Sequence, residues 1–124
     1  FSLTPQGRQA LFFMFSFFGT AKLTASKEFA ADLAKQISRR YPPALDTQAG
    51  RRPSVNRLTR IVEEACQRAV EFHAVHKLGW ITKAVFGNSF RWELTELGYS
   101  KEFVDFATEA VVVHLSRKNS DQKA

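Results

Sequence analysis

The sequence predicts a mainly α fold with four main helices and one small two-stranded antiparallel β-ribbon. Three observations carry that expectation. Apolar residues recur at helical spacing through most of the chain. The pattern changes once, between Leu78 and Gly98, where Phe90, Trp92 and Leu94 alternate with Arg91 and Glu93 and would give a strand one apolar and one charged face. Between that run and the candidate strand Trp80 to Val85, the residues Phe86-Gly87-Asn88-Ser89 supply the chemistry of a tight turn. With 124 residues, 44% apolar and 24% charged, the chain has the size and composition of one domain with one core. That single domain is expected over residues 1–116, with a polar, fraying tail over 117–124.

Thr4-Pro5 opens the first helix, threonine as cap and proline at the first helical position. It is expected to run to Phe18 and stop at Gly19. Leu11, Phe12, Met14, Phe15, Phe17 and Phe18 nearly encircle it, and a helix apolar on all sides is buried on all sides. Either the chain's other helices wrap it, or Phe12, Phe13, Phe15, Phe17 and Phe18 meet a partner. The uncharged run Gln9–Ala21 has 13 residues, short of the roughly 20 needed to span a bilayer, so no transmembrane segment is expected.

Ser26 caps a second helix, Lys27 to Arg40, whose stripe is Phe29, Leu33 and Ile37 with Ala30 and Ala34. Tyr41-Pro42-Pro43 ends it, because a residue before proline leaves the helical region. Pro42 to Pro53 reads as one basic loop. Ser54 caps the third helix, which runs to Leu78 on a seam of Leu58, Val62, Ala65, Ala69, Phe72 and His76, widened by Ile61, Cys66 and His73. Gly79 ends it by taking positive φ. Thr95 caps the fourth helix, with a break at Gly98-Tyr99-Ser100 and a second cap at Ser100. Its buried side is Phe103, Phe106, Ala107, Ala110, Val111, Val113 and Leu115.

The formal charge is +6, and its location says more than its size. Between Lys35 and Arg60 lie seven basic residues and one acid, Asp46, while the rest of the chain balances 11 cations against 11 acids. Such a local field suits a polyanion: nucleic acid, an acidic protein or an anionic lipid surface. The alternative is a solvated loop that happens to be rich in arginine. Arg39, Arg40, Arg51, Arg52, Arg57 and Arg60 are the candidate nucleic-acid contacts. The unpaired N–H groups at the start of the third helix favour phosphate, and guanidinium forks grip it in pairs.

Catalytic chemistry is not visible. No phosphate-cradling glycine loop occurs. Cys66, His73 and His76 share one helical side, but they leave a metal without a fourth ligand and read as core residues, so no metal or cofactor is expected. Glu63 and Glu64 are adjacent and diverge on a helix. A single cysteine permits no internal disulfide. Phe1-Ser2-Leu3-Thr4 looks like the start left by a cleaved mitochondrial presequence, and no signal peptide is visible in the sequence. The expected setting is therefore mitochondrial or cytoplasmic.

Arg91–Gly98, R-W-E-L-T-E-L-G, resembles the segment in which the wing strand of MarR- and PadR-type winged-helix regulators enters the next helix. Val75–Ile81, V-H-K-L-G-W-I, is similar to their recognition helix running into the wing. The resemblance covers residues 54–110 and implies a winged-helix-like fold, with the third helix in the DNA major groove and the wing on the backbone or minor groove. It implicates Arg57 and Arg60 on that helix, and Lys83, Asn88 and Arg91 on or near the ribbon.

The expected function is a non-enzymatic module that binds DNA or RNA through arginines at the start of the third helix. The alternative is a structural accessory subunit of a large assembly, such as a mitochondrial ribosome or respiratory complex, docked by the Phe-rich helix. A homodimer joined through its first and fourth helices is the third reading.

Overall fold

Phe86, Phe90 and Leu94 recur at i, i+4 and i+8, and this spacing decides how residues 80–97 fold. In the computed structural model the backbone of residues 5–48, 52–76 and 79–123 is described, with side chains over 21–48, 52–76 and 79–117. Among the described residues five helices follow one another: α1 (Pro5–Arg40), α2 (Pro43–Thr47), α3 (Val55–His76), α4 (Trp80–Leu97) and α5 (Lys101–Lys123). No strand occurs among the described residues. The mainly α fold with a two-stranded ribbon, and the winged-helix-like architecture with it, are thereby overturned. Both readings turn Phe90 and Leu94 inward and differ at two positions. Phe86 is 1% exposed and Trp92 59% exposed, as a helix requires and a strand would not allow.

The residues read as a hairpin turn have another use. Gly87 is buried inside α4, and a Cβ there would stand 3.1 Å from Val112 Cγ2 of α5. Its missing side chain lets the two helices approach closely, a role of glycine distinct from turn formation.

The two expected N-terminal helices are one, the 36-residue α1. Glycine inside a helix costs about 1 kcal/mol relative to alanine, too little to stop a helix without a capping structure, and Gly19 does not stop this one. Ser26 is no cap either. Its side chain is buried in mid-helix, and Oγ has no hydrogen-bond partner among the described residues. The short α2 interrupts the expected loop and begins at Pro43, where a helix needs no N–H. Arg57 N–H donates to Ser54 Oγ at 3.3 Å, so Ser54 opens α3 as expected.

Positive φ falls at Gly98 (φ +102°) and not at Gly79, whose φ of −76° precedes α4. Gly98 N–H donates to Thr95 O at 3.0 Å and Tyr99 N–H to Leu94 O at 3.3 Å, which satisfies carbonyls left over at the end of α4. Alanine at Gly98 is expected to lower stability by about 1 kcal/mol, because a Cβ disfavours left-handed backbone; a urea titration reads this. Thr95 is not a cap but a member of the last turn, its hydroxyl donating to Arg91 O at 2.9 Å. Ser100 does cap α5, accepting from Phe103 N–H at 3.3 Å.

Four helices pack around one core. α1 lies against α4, α4 against α5, α5 against α3, and α3 against α1, the last pair touching least. Phe29 stacks on Phe72 and Arg40 pairs with Glu64, so α1 and α3 run antiparallel. Phe29 also meets Phe86, and Tyr41 meets Tyr99, so α1 and α4 run parallel. Leu33, Ile37, Val62, Phe86, Phe90, Val111 and Leu115 fill the centre. Phe106 (44% exposed) and Val113 (39%) were expected inside but lie at the surface, because the core side of α5 is the stripe Phe103, Ala107, Val111 and Leu115.

Candidate functional site

Antiparallel pairing carries the last turn of α1 to the same end of the bundle as the first turns of α3. Arginines of the two helices, Arg39 and Arg40 with Arg68, therefore meet at one groove. Arg39 and Arg40 close α1, where a cation is favoured by the helix dipole. Arg57 and Arg60 are exposed on α3. A half-open groove of about 290 Å³ separates the two helices, with Leu33, Ile37, Ile61 and Ala65 as floor and Arg39, Arg40 and Arg68 on the rim. Across it Arg40 pairs with Glu64, and Arg68 Nη1 donates to Gln36 Oε1. Arg68 was not among the sequence-based candidates. The signal was available: Arg57 and Arg68 are three helical turns apart and so lie on one face.

The other members of the basic segment behave differently. Arg51 lies outside the described residues. Arg52 belongs to the frame that closes the bundle end. Its Nε donates to Asp46 O at 3.0 Å and lies 3.6 Å from Asp46 Oδ1, while Nη1 is 3.7 Å from Glu102. Asp46, 3% exposed, is the centre of that frame. Tyr41 Oη donates to Oδ1 at 2.5 Å and Ser100 N–H to Oδ2 at 2.6 Å, while Tyr99 Oη donates to Tyr41 O. Burial alone would raise the Asp46 pKa, but these donors and the Arg52 guanidinium outweigh it and hold the carboxyl below its usual value. Burial, then the bond to Asp46, pushes the Tyr41 phenol well up.

The candidates assigned to a wing sit on α4. Arg91 is half-exposed and pairs with Asp105 of α5. Asn88 is exposed on the outer face. Lys83 is half-buried, and after burial its charge is the second influence that lowers the His73 pKa. Phe12, Phe13, Phe15, Phe17 and Phe18 fall within the helical span of α1, but their side chains lie outside the described residues.

Cys66 and His73 are buried while His76 is exposed and stacks on Phe72. Among the described residues no three such side chains converge as a metal site. Burial, with Glu63 nearby, pushes the Cys66 thiol up to about 11, so the sulfur stays protonated and unreactive near neutrality. Among the described residues no helix is long and apolar enough to cross a membrane. The site is thus an exposed arginine edge over an apolar floor, with chemistry suited to holding anions. No family model, no curated protein and no solved structure matches this chain.

Proposed function

We propose that this protein is a non-enzymatic helical-bundle module that binds nucleic acid through its phosphates along the α1/α3 edge. One observation supports the reading above others: antiparallel packing gathers Arg39, Arg40 and Arg68 from two chain segments around one groove, with Arg57 three turns before Arg68 on the same face of α3. Arg57 and Arg68 are 11 residues apart, about 16 Å along the axis, a length that matches roughly five nucleotides of one duplex strand at 3.4 Å each. Guanidinium forks suit phosphate oxygens in pairs. Glu64 on the groove rim pairs with Arg40, while Arg60 and Arg68 border a second depression together with Glu63, Glu64 and Glu71. The contacts are to phosphate, so affinity is expected to depend weakly on base sequence.

Affinity for a DNA or RNA duplex is expected to fall steeply with salt, with a log–log slope of about −4 if four to five phosphates are neutralised. The triple variant Arg39→Gln/Arg57→Gln/Arg60→Gln is expected to bind at least tenfold more weakly, with a slope shallower by about 3. These three side chains are exposed, and surface substitutions shift stability by roughly 0.5 kcal/mol or less, so circular dichroism should report an unchanged fold. Binding that ignores salt, or that survives the triple change, overturns the reading.

A further inference from the structure

α4 carries an indole that the core does not use. Phe86, Phe90 and Leu94 fill the buried stripe, and Trp92 stands on the opposite side, 59% exposed. Leaving so large an apolar ring in water is unfavourable. Around it is an open depression of about 530 Å³, lined by Asn88, Ser89, Glu93 and Thr95 of α4, with Lys27 reaching in from α1. Arg91 borders it as well, tethered to Asp105.

We propose that this depression is a nucleobase shelf that takes an unpaired base of a single-stranded nucleic acid, an inference that rests on the nucleic-acid reading above. An exposed indole face stacks any base, because every base has a π-face. Asn88 precedes Trp92 by one helical turn and shares its side of α4; its amide pairs donor and acceptor as adenine's N6 and N7 require. Glu93 accepts from an exocyclic amine such as that of cytosine, which gives the wall's one acid a use. Lys27 supplies charge for the flanking phosphate, beside Arg91, which pairs with Asp105. A paired base is stacked on both faces and cannot reach the indole, so the shelf selects single strands. The arginine edge lies on the α3 side of α1 and the shelf on its α4 side, with exposed Lys35 and Arg39 on α1.

The chain has two tryptophans, so Trp80→Phe leaves Trp92 as the sole indole emitter. In that background, the single strand dA6 is expected to quench the fluorescence, and a hairpin duplex is not. Adding Trp92→Leu is expected to weaken dA6 binding at least fivefold, the lower range for one lost stacking contact, while duplex affinity stays within twofold. Circular dichroism confirms that each variant is folded. If dA6 binds without quenching, or Trp92→Leu binds it unchanged, the shelf is overturned while a salt-dependent duplex affinity leaves the arginine edge standing. If neither nucleic acid binds, both readings fall. If the triple arginine change abolishes duplex binding while dA6 still quenches Trp92, the shelf stands and is separable from the edge.

Discussion

Replacing Asp46 with alanine is expected to destabilise the fold by about 3–5 kcal/mol, the range for removing one member of a buried charged network. The loss strands the Tyr41 hydroxyl and the Ser100 N–H, both of which point at the carboxylate. Each buried donor left without a partner costs roughly 1–3 kcal/mol. Arg52 adds less, since its side chain is 47% exposed and water screens the pair. The carboxylate also faces the N-terminus of α5, where a negative charge is favoured. Because the folded pKa is depressed, the contribution is complete above the unfolded value of about 3.9 and is lost as pH falls through the folded value. Urea titrations from pH 7 down to pH 2 check this. The gap between wild type and Asp46→Ala should be widest near neutrality and shrink in acid; a constant gap contradicts the assignment.

Phe90→Ala is expected to cost about 3–5 kcal/mol, whereas Trp92→Ala, two residues away, should change stability by roughly 0.5 kcal/mol or less. Phe90 is fully buried and stacks near Phe86, with ring centres 6.0 Å apart. Its removal leaves a void at the bundle centre that neighbouring helices fill only partly. Thermal or urea unfolding of the two variants reads the contrast. The pair discriminates between the two secondary structures as well, since in a ribbon both rings would share one face and truncating either would be costly.

Much of the core was legible in the sequence. The stripe Leu33, Ile37, Ala30 and Ala34 and the seam Val62, Ala65 and Ala69 are buried as their spacing indicated. What failed was the stretch from Trp80 to Leu97. There a three-residue alternation overlapped an i, i+4, i+8 pattern at Phe90 and Leu94, and local spacing could not tell which of Phe86 or Trp92 faced inward. Gly87-Asn88-Ser89 reinforced the error, because turn propensity and close helix contact call for the same residue at Gly87. Gly19 and Ser26 misled for a related reason: punctuation residues are weak against a neighbouring helix that continues. At the site, basic residues were visible as a composition bias, but their partners were not. Only tertiary structure separates Arg52, held by Asp46 and Glu102, from Arg57 and Arg60, exposed on α3.

Of the neighbouring helices, α1 and α3 touch least. Where α4 meets α5 a glycine brings the axes together, and on the opposite seam the stacked rings of Phe29 and Phe72 hold α1 away from α3. Interaxial spacing follows side-chain bulk at the contact, so the width of the arginine-lined cleft is set by two apolar rings that carry no charge. Shrinking either ring would redraw the cleft while leaving every guanidinium in the chain, and in this molecule recognition is tuned as much by hydrocarbon volume as by electrostatics.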